Sequence, residues 1–422
     1  MQNKILEYLD NHKDELYTLL SDLLKIDTQN YISYGLEEEG QKFFEAYCKQ
    51  HGFETDFYYP DDIEGFTAHP GYLKDRGTDK RPNVTAILRG AKGREKITLA
   101  ADMDTMPVGS EDDWSVPGLG GVIKDGKIFG RGSSDDKFGI AASIFAARAI
   151  KECGIELLDD VYITSYCDEE YGGGNGALAT CLKYPSDVYI NLDGGSREVW
   201  PYGIGGCFCR AQIHKNETLS SSSSVFEGLK VLVDDLEEFG KKRFSELQKS
   251  PIFKDTVIQS DAYRLLHVSC GQNGLDLNTA VIEFTYYTLT EQDKIEEELY
   301  SHLKRVEEKL KKLDLIFDGL EKKSRFFHPA NPEKLSADVE LYRSCLEETL
   351  NTPIKIAGGC LSDLSVISKY GGGTAFNTGV FKGFGEYGGP HQIDEYVDCE
   401  EFLAVTKALA LYLINKSYKK GE

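Results

Sequence analysis

The stretch ITLAADMDTMP spans residues 97–107 and joins an apolar, strand-like run to two closely spaced carboxylates, Asp102 and Asp104. In open α/β sheets, ligands bind in the crevice beyond the carboxyl ends of the strands. The stretch therefore predicts a buried strand over 97–101, with a polar site directly after it.

Strand-like and helix-like periods alternate through the first two hundred residues. The expected strands cover 84–88, 97–101, 161–166 and 188–192, and a helix over 141–151 follows the turn GRGSSDD. Strands that alternate with helices predict an α/β fold, with a mixed, mostly parallel sheet between helices.

The pattern changes near residue 205. Strands over 207–213, 263–269 and 280–289, with helices over 225–239 and 291–313, predict a smaller, ferredoxin-like α+β domain. We expect this domain to be inserted at 208–327 into the first domain, which is made of 1–207 and 328–422. The serine run at 220–224 is either a linker or a turn into a helix N-cap.

Composition narrows the classes of partner. The chain has 422 residues and a net charge of −22, with no compensating basic block, which argues against nucleic acid and anionic membranes as partners. No apolar run approaches the roughly 18 residues of a membrane span, and the N-terminus lacks the features of a secretory signal. Ten dispersed cysteines without a CxxC are typical of buried free thiols. We expect a cytoplasmic protein.

Further acidic or histidine positions lie in glycine-rich segments downstream. They are Asp135 in GRGSSDDKFG, Glu169 and Glu170 in CDEEYGGG, Asp193 in INLDGG, and His391 in GGPHQIDE. Each segment alone is typical of a turn, a solvated face or a structural histidine. Together they predict a metal site, because converging carboxylates repel one another unless cations lie between them.

The order and spacing of these motifs resemble the dinuclear-zinc metallopeptidase family of aminoacylase, acetylornithine deacetylase, succinyl-diaminopimelate desuccinylase and glutamate carboxypeptidase. PNVTAILRG, DDW, DGKIFGRG and GGCLSD extend the resemblance over essentially the whole chain. The resemblance implies a metal-dependent hydrolase of an amide bond in a small peptide or N-acyl amino acid. It also implies that the inserted domain acts as a lid or forms a homodimer.

The resemblance further implies a ligand set for two divalent ions, zinc or manganese, with cobalt also possible. Asp135 would bridge the ions, Glu170 and His391 would complete one, and Asp102 and Asp193 would hold the other. A cis peptide bond is expected after Asp135.

The same resemblance implies two catalytic roles. Glu169 would be the general base that accepts a proton from the metal-bound water and delivers it to the leaving amine. Asp104 would orient or polarise the first metal ligand.

Asp102 departs from the family, which has histidine at this position. An extra negative charge favours harder ions such as manganese or magnesium, or it weakens the site and reduces occupancy on the Asp102 side. A further alternative is that Asp102 binds no metal.

The inserted domain also departs from the family. Its usual oxyanion-stabilising histidine is replaced by the serine run around Ser220 and Ser221, and its substrate-binding arginine is missing from VIEFTYYTL. His214 and His267 are interpreted as surface or strand residues. Asn278, in DLNTA, matches a family asparagine near the substrate.

These departures support an alternative function, a non-catalytic or repurposed member that binds a small ligand or a partner through the same cleft. A nucleotide-cofactor enzyme is disfavoured, because the glycines near Asp168 open no GxGxxG unit and no P-loop is present.

Overall fold

The computed structural model describes residues 1–216, 224–255, 262–271 and 278–418. The chain divides into two compact units, one formed by Met1–Pro201 with Pro332–Glu422 and the other by Tyr202–Asn331. Within the described residues, no helix has both the length and the apolar character that a membrane crossing requires.

The strands, in chain order, are β1 Glu54–Tyr58, β2 Asn83–Leu88, β3 Lys96–Asp102, β4 Val122–Lys124, β5 Lys127–Phe129, β6 Asp160–Tyr166, β7 Val188–Ser196, β8 Glu198–Gly203, β9 Gly205–Lys215, β10 Tyr263–Cys270, β11 Thr279–Thr288, β12 Leu315–Lys322, β13 Lys355–Gly359, β14 Thr374–Gly379 and β15 Tyr396–Asp398. The α-helices are α1 Gln2–Asn11, α2 Lys13–Leu24, α3 Glu37–Gln50, α4 Lys137–Glu152, α5 Asn175–Lys183, α6 Val225–Leu247, α7 Gln292–Lys311, α8 Ala337–Leu350, α9 Leu364–Tyr370 and α10 Cys399–Ser417.

The first unit is built on an eight-stranded sheet in the order β1-β2-β6-β3-β7-β14-β8-β13. Its centre is parallel, because β3 pairs in parallel with β6 and β7, and β7 with β14. From its second residue onward β3 is buried, as expected of a strand covered on both faces. The carboxyl ends of β3, β6 and β7 consequently meet at one edge of the sheet.

Helix α4 packs closely against this sheet. Its sequence KFGIAASIFAARAIKE is rich in small residues, and nearly every one of them is buried. A Cβ on Gly139 would lie 2.3 Å from the Cβ of Leu192 in β7, so only glycine permits this approach. The close packing fixes the start of α4 beside the carboxyl edge of the sheet.

The second unit has the chain order β9-α6-β10-β11-α7-β12, which is ferredoxin-like. Its antiparallel sheet runs β10-β11-β9-β12. Alternate residues of β11, such as Ile282 and Phe284, are buried in one core with Phe239 of α6 and Leu299 of α7. A large, mostly parallel sheet with a separate antiparallel sheet confirms the predicted fold class.

Candidate metal centre

The candidate site lies at the carboxyl edge of the large sheet. Asp102 is the last residue of β3, and Asp104 follows two residues later. Glu169 and Glu170 follow the end of β6, and Asp193 lies in β7. Parallel pairing of these strands therefore brings together residues that are up to 91 positions apart in the chain.

Three of the predicted ligands form a tight cluster. The Nε2 atom of His391 lies 3.0 Å from Oδ2 of Asp135 and 3.2 Å from Oε2 of Glu170. One ligand atom from each of the three residues lies within 4.8 Å of the other two. Burial opposes protonation of His391, but the charge of Glu170 and hydrogen bonds to both carboxylates raise its pKa to about 12. The cluster thus attracts positive charge strongly.

The carboxylate of Glu395 anchors the loop that carries Asp135. It is fully buried and accepts hydrogen bonds from the backbone N–H groups of Gly132, Ser134 and Asp135, at 2.9 to 3.1 Å. It also pairs with Arg131 at 2.8 Å. Because Arg131 donates a further bond to the carbonyl of His391, Glu395 links the two segments that carry the predicted ligands Asp135 and His391.

The carboxylate of Asp104 anchors the other acidic loop. It is fully buried and accepts bonds at 3.1 Å from the backbone N–H groups of Glu169 and Glu170. Asn30 donates to the same carboxylate at 2.7 Å. The carboxylate of Glu170 is fixed in turn by the backbone N–H of Met106, at 2.8 Å. Asp104 thus positions the segment that carries the predicted base and one predicted ligand.

Asp102 lies in a second group of buried acids that includes Asp136 and Asp193. Only 2% of Asp102 is exposed, and within the described part of the chain its Oδ1 accepts no hydrogen bond. Burial raises the pKa of Asp102 well above its usual range, and the charges of Asp136 and Asp104 raise it further. The pKa of Asp193 is raised by burial and by Asp135. Among the described residues, Asp102 and Asp193 do not belong to the three-residue cluster.

These donors fit divalent cations. Carboxylate oxygens with one imidazole are ligands for zinc or manganese. Several buried acids with raised pKa values, and an Asp102 oxygen without a hydrogen bond, indicate negative charge that the described protein groups do not neutralise. The peptide bond between Asp135 and Asp136 is cis, which confirms that prediction.

Glu169, the predicted general base, lies at the same edge and is partly exposed. Burial of its carboxyl group, with the charges of Asp193 and Asp363, raises its pKa well above the usual range. A carboxylate of raised pKa is a stronger proton acceptor.

The sequence singles out five residues of the second unit: Ser220, Ser221, Asn278, His214 and His267. Ser220 and Ser221 lie outside the described residues, and Asn278 is exposed, with its carbonyl accepting a bond from the N–H of Lys215. Its substrate contact stays a prediction. His214 pairs with Asp318 at 2.7 Å on the strand surface, and His267 is an exposed residue of β10.

Sequence reasoning missed three acids of the site. Asp136 and Asp363 lie close enough to raise the pKa values of Asp102 and Glu169, respectively, and Glu395 anchors the Asp135 loop. All three belong to motifs that were recognised, namely GRGSSDDKFG, GGCLSD and GGPHQIDE. The available signal was the second acidic residue in GRGSSDDKFG and in GGPHQIDE, and the single acidic residue in GGCLSD.

Comparison with known families identifies the chain. Residues 98–415 match Peptidase family M20/M25/M40, and that segment contains every predicted ligand. The chain belongs to this family. The predicted family resemblance is therefore confirmed.

Curated relatives match parts of the chain. The N-formyl-4-amino-5-aminomethyl-2-methylpyrimidine deformylase of Halalkalibacterium halodurans is 27% identical over 208 residues, 48% of this chain and 43% of that protein. The succinyl-diaminopimelate desuccinylase of Bradyrhizobium sp. (strain ORS 278) is 43% identical over 124 residues, 29% of this chain and 32% of that protein. The chain thus matches less than half the length of either relative.

Solved structures match the chain over nearly its full length. The di-peptidase Dug1p from Saccharomyces cerevisiae has a TM-score of 0.76 at 14% identity and covers 100% of this chain and 99% of its own. A dinuclear metal binding M20 peptidase from Bacillus subtilis has a TM-score of 0.60 at 14% identity and covers 97% and 99%. At such identities these likenesses establish the fold.

Proposed function

We propose that this M20-family protein is a metal-dependent hydrolase of an amide bond in a peptide or N-acyl amino acid. The observation that carries the proposal is the cluster of Asp135, Glu170 and His391 beside Glu169 at the carboxyl edge of the sheet. The relatives support it, because one is named a deformylase, another a desuccinylase, and a structural neighbour a di-peptidase.

Each residue has a role in this proposal. Asp135, Glu170 and His391 would hold one cation, zinc or manganese, and Asp102 and Asp193 would hold the second together with Asp135. When bound, the cations polarise the amide carbonyl and lower the pKa of the attacking water.

Proton transfer in this proposal belongs to Glu169. Its carboxylate accepts the proton of the attacking water and returns it to the nitrogen of the leaving amine. Burial of the carboxyl group raises the pKa of Glu169, which makes its carboxylate a better acceptor for this proton. Asp104 positions Glu169 through the backbone N–H bond at 3.1 Å.

The cellular location, the role of the second unit and the metal preference are also proposals. None of the ten cysteines forms a disulfide, which supports a cytoplasmic location. A lid or dimerisation role for the second unit rests on the family resemblance. Asp102 favours manganese over zinc at its side of the site, because a carboxylate is a harder ligand than the imidazole it replaces.

The test combines metal analysis with turnover. Purified protein is loaded with manganese, zinc or cobalt, its metal content is measured, and hydrolysis of a panel of dipeptides and N-acyl amino acids is followed. We expect two ions per chain and a fall in kcat of roughly 10²- to 10⁴-fold for Glu169→Gln. The matched control is Glu340→Gln, at a half-exposed position of α8, and it should behave like the parent.

The alternative function has its own signature. Asp102, in place of the family's histidine, is the observation that favours a non-catalytic binding protein. If the protein binds no metal, and if Glu169→Gln has the same activity toward the substrate panel as the parent, the binding function is supported and the hydrolase function is contradicted.

A further inference from the structure

Exposed apolar side chains of the first unit concentrate near the cluster of Asp135, Glu170 and His391. The described residues of this unit include eleven exposed large hydrophobic side chains, and eight of them lie in residues 31–36, at 171 or in 384–393. We name five of these the aromatic rim: Tyr31, Ile32, Tyr34, Tyr171 and Phe384. Clustered exposed apolar residues mark binding surfaces, whereas scattered ones are ordinary.

The rim is joined to the cluster by direct contacts. The Phe384 ring packs edge-on against the His391 ring, with centroids 5.7 Å apart. Tyr171 directly follows Glu170 in the chain, and its side chain is 37% exposed. Two sides of the cluster therefore carry exposed aromatic rings.

The loop with the other rim residues is attached to the same place. Asn30 donates to the carboxylate of Asp104 at 2.7 Å and to the carbonyl of Glu170 at 3.4 Å. The next residues present Tyr31 stacked on Tyr34, with ring centroids 4.9 Å apart. Ile32 adopts a left-handed φ of 68°, which is rare for a β-branched residue and typical of functional loops.

Charge distinguishes between the possible occupants of the rim. Residues 29–36, 168–175 and 383–393 contain no lysine or arginine, so apart from the predicted ligand His391 these segments offer no basic side chain to a substrate carboxylate or phosphate. Besides the acidic residues 168–170 and the exposed Glu386, the side chains of the aromatic rim offer ring faces and an isoleucine. A neutral apolar group is the chemistry that this surface complements.

We propose that the aromatic rim binds an apolar side chain or acyl chain next to the scissile amide, which makes the substrates hydrophobic peptides or N-acyl amino acids. This rests on the proposed hydrolase function and deepens it by naming the substrate class. Phe384 and Tyr31 are the specificity-determining residues, because both rings are exposed and neither is itself a ligand.

The experiment compares N-acetyl-glycine, -leucine, -phenylalanine, -aspartate and -lysine, with the matching X-alanine dipeptides, on manganese-loaded protein. We expect kcat/KM for leucine or phenylalanine to exceed that for glycine and the charged residues at least about tenfold. Phe384→Ala and Tyr31→Ala should lower kcat/KM about tenfold for the apolar substrates, and less than about twofold for glycine. Tyr418→Ala, a similarly exposed tyrosine at the end of α10, is the control and should change neither.

A binding measurement separates this proposal from the hydrolase function. Isothermal titration of the metal-loaded protein compares phenylalanine hydroxamate with glycine hydroxamate. Turnover without a preference for apolar substrates contradicts the role of the aromatic rim but not the hydrolase function. The same holds if Phe384→Ala lowers kcat/KM equally for all substrates. Tighter binding of phenylalanine hydroxamate without any turnover overturns the hydrolase and supports the rim. Equal binding of the two hydroxamates without turnover overturns both.

Discussion

Replacing Glu395 by glutamine tests whether one buried carboxylate holds the metal-binding loops together. One oxygen of Glu395 accepts bonds from Arg131 and Gly132, and the other from the N–H and Oγ of Ser134 and the N–H of Asp135. A glutamine oxygen can keep the second set. Its NH₂ group then faces the two donors of the first set and cannot accept from them.

The magnitude follows from the groups left without a partner. Removing one member of a buried ion pair costs about 3–5 kcal/mol, and losing the Gly132 bond adds about 1 kcal/mol. Arg131 keeps its bonds to the carbonyls of His391 and Gln392, at 3.3 and 3.2 Å, which reduces the loss. We therefore expect the free energy of unfolding to fall by about 3–4 kcal/mol, a large share of the typical total of about 5–15 kcal/mol.

Urea unfolding of the metal-free protein, followed by circular dichroism, measures this change. The control is Glu340→Gln, which removes the half-exposed partner of Arg343 at 2.7 Å and should cost less than about 1 kcal/mol. Manganese affinity, measured by calorimetry, should also weaken about 10- to 100-fold in Glu395→Gln. A stability within about 1 kcal/mol of the control, or unchanged manganese affinity, would refute the anchoring role.

Three further predictions concern the acidic groups. Asp102→His should raise the affinity for zinc relative to manganese at least about tenfold, because imidazole is the softer ligand. A competition titration of the two metals measures this ratio. An unchanged ratio of zinc to manganese affinity would mean that residue 102 binds no metal. Asp104→Asn should lower the free energy of unfolding by about 1–2 kcal/mol, since that carboxylate accepts hydrogen bonds from the N–H groups of Glu169 and Glu170. Urea unfolding measures the change, and a free energy of unfolding equal to that of the parent would contradict the prediction. The metal-free protein should lose stability as pH rises above about 4, because raised pKa values of Asp102, Asp136, Glu169 and Asp193 let the folded state hold more protons than the unfolded state. Saturating manganese should remove that loss of stability. The measurement is the melting temperature from pH 5 to 8, with and without manganese. A melting temperature that does not fall with pH in the metal-free protein would argue against a buried acidic cluster.

The sequence predicted the central strands well because burial on both faces leaves an apolar run. β3 and β7 are such strands. β12 escaped prediction because it is an edge strand of the second sheet with a mostly exposed face, so its sequence LIFDGLEK carries little apolar pattern. Helices α1 and α2 are separated by His12 alone, whose ring stacks on Tyr8 and whose Nδ1 lies 2.8 Å from the Tyr8 carbonyl oxygen.

By itself, the sequence determined the family, the α/β class and the candidate metal ligands, because these depend on residue types placed at fixed points along strands and turns. Only the tertiary structure decided that Asp135, Glu170 and His391 meet within 4.8 Å, and that Asp136 lies beside Asp102. It alone showed that Glu395 holds the loop of Asp135, 260 positions away. The physical reason is that hydrogen bonds and charge repulsion act over a few ångströms in space, and parallel strand pairing sets those distances between residues far apart in the chain.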